Sequence, residues 1–236
     1  SSADNGTANI DGAVIVHVGI EAITDLLQVD QRVFTYVGDR ADDVTLTDDG
    51  IGGNKISRLV SSSTTMKFDF TNPNTAFTLN TGDGKDVVTV VALDSRNSVD
   101  GLFNAQIRIN GENDDDTLDG SQFGLDLILD GGAGADLIKG GGANDTIYGG
   151  LANDVIYGNG GHDTIYGGDG NDTVYGGAGN DYVIGGDGDD AIYGESGADS
   201  ILGDNGTITS LELVAAVSAG GNDTIYGGAG DDIIIG

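Results

Sequence analysis

Seven aspartates, Asp136, Asp145, Asp154, Asp163, Asp172, Asp181 and Asp190, stand at one offset in seven consecutive nine-residue units running from Gly131 to Tyr193: GGAGADLIK, GGGANDTIY, GGLANDVIY, GNGGHDTIY, GGDGNDTVY, GGAGNDYVI and GGDGDDAIY. Ile or Val follows each of them two residues later. A glycine-rich turn carrying one carboxylate offers oxygen donors of two kinds, the Asp side chain and the backbone carbonyls. If two units make one coil, Asp136, Asp154, Asp172 and Asp190 line one edge, and Asp145, Asp163, Asp181 and Asp199 the other. Neighbouring coils of a parallel sheet lie roughly 4.8 Å apart, so each edge crowds its own negative charges. A counter-ion is therefore required.

Calcium suits that demand. It takes roughly six to eight oxygens at about 2.3–2.6 Å and mixes carboxylates with carbonyls, whereas magnesium wants stricter octahedral geometry and keeps its waters. Zinc and iron would call for His or Cys. The chain has no Cys and two His. His17 lies in the apolar run AVIVHV and reads as an ordinary surface or core side chain; His162 reads as an exposed turn residue just before Asp163. The turn carbonyls expected to join the aspartates belong to Gly132, Gly134, Gly141, Gly150, Gly168, Gly170, Gly177, Gly179, Gly186 and Gly188. Beyond the seven units, Asp199, Asp223 and Asp232 continue the candidate ligand series, and Asp86, Asp116 and Asp126 precede it. Several calcium ions follow.

The elements that position these groups are short strands. Glycine adopts the backbone angles a tight turn needs, and in the following TIY or VIY run the middle residue points inward. Ile147, Ile156 and Ile165 are thus the expected core, with Thr146 and Tyr148 flanking on the outside. One inward side chain per strand buries too little apolar surface for a repeat to fold alone, so the repeats must stack. The expected class is an all-β parallel solenoid.

The repeats resemble the repeats-in-toxin (RTX) family, whose nonapeptide carries this glycine and aspartate spacing. The resemblance covers Gly131 to Gly206 almost continuously and resumes from Gly220 to Gly236, with outliers at Gly82–Asp86 and Gly111–Leu118. It implies a right-handed parallel β-roll with calcium between its turns, export from a bacterial cell, and folding delayed until calcium is met outside. Because such modules occur in toxins, proteases, lipases, epimerases, adhesins and surface-layer proteins, it implies a scaffold and an ion but not a chemistry. Ala143, Ala152 and Gly160–Gly161 depart from the commonest pattern; an alanine held at negative φ would keep its turn, so weaker sites are expected there.

After Asp199 the next ligand position holds Ile208. TSLELVAAVSA then intervenes before GGNDTIYGGAGDDIIIG restarts the lattice, so an excursion is expected at about 207–219. It reads as a loop or short helix, with Ser210 as cap and Leu211, Val214 and Ala215 laid on the flank of the roll. A cover for an exposed sheet is its simplest role, and a contact for a neighbouring subunit the other.

Residues 1–110 are different material. They hold eight of the nine basic residues, all but Lys139. Runs such as VFTYVG, DVTLTDD, TMKFDFT and TAFTLNT alternate apolar and polar residues, as half-buried strands do. Less regular β-helical rungs leading into the roll of 111–236 are expected, the alternative being an antiparallel sandwich joined end to end. TGDGKDVVTV, with Val88 inward, and the ten-residue spacings from Asp116 to Asp126 to Asp136 favour the continuous solenoid.

Composition narrows the function. The 236 residues include 43 Gly and one Pro and carry a formal charge of −30, of which −16 falls after residue 130. So acidic a surface has no basic groove for nucleic acid and disfavours unaided docking to an anionic membrane. No apolar run is long enough for a membrane span and no signal peptide opens the chain; the termini read as cut from a longer protein. Catalysis lacks a constellation: HExxH, a phosphate loop and a Ser-His-Asp spacing are missing. The regular carboxylates are committed to metal. Tyr148 and Tyr166 on one sheet, and Tyr157, Tyr175 and Tyr193 on the other, recur at eighteen-residue spacing as outward ladders. Such ladders stabilise cross-strand pairs or present a face to a saccharide or sister protein. The expected whole is a non-enzymatic, calcium-dependent structural module of a secreted or cell-surface bacterial protein, with a folding, spacer or assembly role. A calcium-dependent adhesin or carbohydrate-binding module is the alternative, and neighbouring copies or other domains are the expected partners beside calcium.

Overall fold

The computed structural model describes residues 5–10, 13–18, 22–25, 31–35, 43–48, 56–61, 67–71, 75–92, 106–204, 206–208, 213–215, 222–230 and 233–235. Among them every regular element is a strand, and no helix is long and apolar enough to cross a membrane. From Ala76 onward the chain alternates between two sheets. One sheet has nine strands, all parallel: Gln31–Thr35, Ala76–Asn80, Gln106–Asn113, Leu127–Ala133, Thr146–Leu151, Thr164–Asp169, Tyr182–Asp187, Ser200–Leu202 and Ile233–Ile235. The other has eleven. Its parallel part runs through Asp43–Asp48, Val87–Val90, Thr117–Asp119, Leu137–Lys139, Val155–Gly160, Thr173–Ala178, Ala191–Ser196 and Thr224–Tyr226.

The register follows the sequence period. Thr146, Ile147 and Tyr148 pair with Thr164, Ile165 and Tyr166, eighteen residues on, so each side chain meets its counterpart in the next coil. Inside the repeats, Ile138, Ile147, Ile156, Ile165, Val174, Val183 and Ile192 are completely buried, one per strand. The earlier coils are deeper: Phe77 and Leu79, Val88 and Val90, and Ile107 and Ile109 bury two residues per strand. Apolar burial, the main stabilising contribution, thus thins along the solenoid just where the acids become regular.

The first part of the chain mixes both pairing modes. Ile56–Ser61 pairs antiparallel with Asp43–Asp48 and with Lys67–Thr71, and Asn5–Ile10 pairs antiparallel with Ala13–Val18. Ala22–Asp25 nonetheless lies parallel to Lys67–Thr71, and Gln31–Thr35 parallel to Ala76–Asn80. The excursion corrects an expectation. In place of a helix, Gly206–Ile208 and Leu213–Ala215 form a short antiparallel pair, while Ser210 and Leu211 lie outside the described residues. One or two turns of isolated helix are marginal, and Thr207, Ile208 and Val214 are β-branched residues that suit a strand.

Candidate metal sites along the two edges

Stacking the turns aligns the aspartates in two inner ladders. On one edge the Asp136 N–H donates to Asp154 Oδ1 at 2.8 Å, Asp154 to Asp172 at 2.8 Å and Asp172 to Asp190 at 2.8 Å. On the other, Asp145 donates to Asp163 at 2.7 Å, Asp163 to Asp181 at 2.9 Å and Asp181 to Asp199 at 2.9 Å. The first ladder continues across uneven spacings, from the Asp86 N–H to Asp116 Oδ1, from Asp116 to Asp136, and from Asp190 to Asp223. All from Asp116 to Asp199 in the two ladders are at most 2 % exposed.

Each carboxylate spends Oδ1 on a neighbouring coil. In Asp116, Asp136, Asp154, Asp163, Asp172, Asp181 and Asp190 the second oxygen, Oδ2, is buried with no hydrogen-bond partner. A buried anionic oxygen left in this state is costly. The glycine five residues earlier packs directly against it. A Cβ placed on Gly176 would stand 2.7 Å from Asp181 Oδ2 and 2.9 Å from Gly194 O in the next coil, closer than a side chain allows. The same two kinds of partner close on Gly111, Gly131, Gly149, Gly158, Gly167, Gly185 and Gly194, and on Gly140, whose Asp145 Oδ2 is bonded to the Gly141 N–H. The glycines thus let a carboxylate oxygen and a carbonyl oxygen of the next coil come together, the two kinds of donor that calcium takes.

Burial pushes these acids up from the ordinary carboxylate value: Asp116 and Asp163 to about 8, Asp154 and Asp190 to about 7, and Asp136, Asp145, Asp172 and Asp181 to about 6. Desolvation is the leading cause in each, opposed by the ladder hydrogen bond from a backbone N–H. Groups that resist ionisation in place would be relieved by a cation. Among the described residues no three His, Cys, Asp or Glu side chains gather as a metal centre. One carboxylate per turn supplemented by carbonyls is hard-oxygen chemistry, which fits calcium and not zinc.

The turns carry the left-handed backbone that carbonyl presentation needs. Gly132, Gly134, Gly150, Gly168, Gly170, Gly177, Gly179, Gly186 and Gly188 all have positive φ. At Gly134 a Cβ would collide with the Asp114 carbonyl of the preceding coil. Gly141 differs: it is not among the positive-φ glycines, and its carbonyl accepts the Gly160 N–H at 3.2 Å. Ala152 corrects the expectation of negative φ. It sits at +77°, as Asn159 and Glu195 do at +71°, because the coil above imposes the turn on every residue beneath it, at the cost of strain.

Two expected ligands need separate treatment. Asp126 is exposed and accepts the Asn144 N–H at 3.1 Å, while Leu127 takes the inner place, its N–H donating to Asp145 Oδ1 at 2.7 Å. Asp232 lies outside the described residues. Asp223 reaches its site across the excursion: its carboxylate closes on Gly203, which precedes the inserted segment.

An outer ladder went unread in the sequence. The residue before several repeat aspartates accepts a backbone N–H from the following coil: Asn144 from His162, His162 through Nδ1 from Asn180, and Asn180 from Ala198. On the other edge Asn153 accepts from Asn171, and Asn171 from Asp189. His162 is the exposed turn residue expected, and it is a ladder member as well. The recurring Asn-Asp dipeptide was the available signal. Outside the sheets, Tyr148 stacks on Tyr166 with centroids 5.2 Å apart, and Tyr157, Tyr175 and Tyr193 stack at 4.8 and 4.9 Å. Tyr226 extends the second stack at 5.2 Å across the excursion.

Comparison with known proteins agrees with this geometry. A search of curated proteins finds no match. The model of the RTX calcium-binding nonapeptide repeat, in four copies, matches residues 108–123, 128–156, 148–183, 175–207 and 218–236. That repeat is a calcium-binding structural unit rather than a catalytic one. Between residues 108 and 236 the chain thus carries RTX calcium-binding nonapeptide repeats.

Proposed function

We propose that this chain is a calcium-loaded structural module whose two edges bind several ions, and that these ions complete a roll too thinly cored to hold itself. The ligands are Asp116, Asp136, Asp154, Asp172, Asp190 and Asp223 on one edge and Asp145, Asp163, Asp181 and Asp199 on the other, joined by turn carbonyls. The observation carrying this reading is the row of buried Oδ2 atoms without partners, each beside a carbonyl of the next coil. Residues 111–236 form the nonapeptide roll in this reading and 1–110 the irregular β-rich region before it. A secreted or cell-surface bacterial protein, where calcium is millimolar, is the setting that lets weak sites fill, and a folding, spacer or assembly role follows.

Calorimetric calcium titration tests the ligand assignment. Asp172→Ala should weaken calcium at its edge at least tenfold, about 1.4 kcal/mol. Asp169→Ala should leave the isotherm unchanged, because Asp169 is exposed at a variable turn position. Equal losses in both variants would overturn the assignment.

The tyrosines support a stabilising role over a sugar-binding one. Stacked planes within 4–10° of parallel turn the faces of Tyr157, Tyr175 and Tyr193 toward one another, leaving mainly ring edges for a saccharide. Tyr175→Ala removes two ring pairs, each worth about 0.5–1.5 kcal/mol, and should lower stability by about 1–3 kcal/mol in a denaturant melt. Retention on an immobilised polysaccharide should not change; loss of retention at unchanged stability would restore the adhesin reading.

A further inference from the structure

We propose that the metal array has a built-in start on each edge, with the turn ahead of it closed without calcium: on one edge by the hydroxyl of Thr81, and on the other by the side chain of Leu127. The inference rests on the calcium reading above and assigns Asp86, although it is aligned with the ladder, to a metal-free rung.

Thr81 stands five residues before Asp86, as Gly111 stands before Asp116 and Gly131 before Asp136. In the later coils the glycine packs against the carboxylate and the carbonyl of the glycine one coil on, too close for any side chain. Here a side chain stands instead. Thr81 is 1 % exposed, and its Oγ1 lies 2.9 Å from the carbonyl oxygen of Gly111 and 3.2 Å from that of Asn110. Gly111 is the glycine one coil on, so the hydroxyl proton occupies the carbonyl that in the later coils is left to the ion.

The second edge starts by another route. Gly120 is the glycine of its first turn, and the atom closest to a Cβ placed there is Leu127 Cδ1, where a carboxylate oxygen stands in the later turns. Leu127 is 1 % exposed. A methyl group at the ligand position excludes a cation. In the following turn the Asp145 Oδ2 already accepts the Gly141 N–H at 2.6 Å, so the passage from carbon to metal is graded on this edge. Both closures fall beside the deepest part of the core, where Phe77, Leu79, Ile107, Ile109 and Leu118 are fully buried. Apolar packing does in these coils what calcium does later, and they present a preformed edge to the first metal-dependent turn.

Calcium stoichiometry of the full chain, measured by equilibrium dialysis, tests this. Asp154→Asn is expected to lose one ion or more, and Asp86→Asn none. Loss of an ion by Asp86→Asn equal to that of Asp154→Asn would overturn the inference while leaving the calcium reading intact. If neither variant loses an ion, the aspartate assignment itself fails. Should Asp86→Asn not fold, Thr81→Gly decides: removing the hydroxyl is expected to add one ion, and an unchanged count would overturn the proposal.

Discussion

In excess chelator the repeat region should lose its sheet signal in circular dichroism and expand in hydrodynamic radius, and both changes should reverse when calcium is restored. The physical cause is the division of labour along the solenoid. Most repeat strands bury a single aliphatic residue, which offsets little of the roughly 1–2 kcal/mol per residue that backbone ordering costs. Two rows of acids, part of a net −16 after residue 130, repel one another. An ion that binds only the folded turns stabilises them by RT ln(1 + [Ca]/Kd), about 2.7 kcal/mol per site at a hundredfold excess over Kd. Several such sites exceed the whole stability of an ordinary domain. A spectrum and radius unchanged by chelator would remove calcium from the folding of this chain.

Acid should partly replace the ion. Burial raises the ladder aspartates to between about 6 and about 8 in the folded roll, against roughly 3.9 in an unfolded chain. A group whose folded pKa is raised contributes stability that is complete below the unfolded value and is lost as pH climbs through the folded one. In chelator, therefore, the melting temperature should be highest near pH 4, fall steadily through pH 6, and be lowest above pH 8. With saturating calcium the dependence reverses, since protons and calcium compete for the same carboxylates and the affinity drops as pH falls from about 8 to 6. Melting curves at both extremes, with and without chelator, give four conditions. A chelated roll that melts lower at pH 4.5 than at pH 8 would contradict the burial of these groups as anion-hostile sites.

Much of this was legible in the chain. The eighteen-residue coil, the two acid edges and the inward positions of Ile147, Ile156 and Ile165 all follow from a strict period, because in a solenoid sequence distance converts directly into height. Outside strict periodicity the conversion fails. Asp126 looked like a ligand from its spacing of ten to Asp136, yet two additional residues in its turn place Leu127 on the inner ladder and leave Asp126 exposed. Asp223 accepts the Asp190 N–H in line with its repeat position, but its approach to Gly203 across the hairpin is a spatial fact. The outer ladder of Asn144, His162 and Asn180 had its signal in the recurring Asn-Asp dipeptides, but the donor each side chain meets stands eighteen residues on and shows only in the stacked coils.

The sequence alone determined the repeating unit, its ion chemistry and its two-edged stacking, since glycine turns, a single carboxylate and one aliphatic residue every nine positions admit one periodic arrangement. The tertiary structure decided where that arrangement begins and how it survives interruption. That a glycine packs against the next coil's carbonyl at Gly131 while a hydroxyl bonds to the equivalent carbonyl at Thr81 shows only once the coils are aligned. The ladder partners concerned are separated by 30, 20 or 33 residues, which no fixed period supplies, and only the folded chain brings them together.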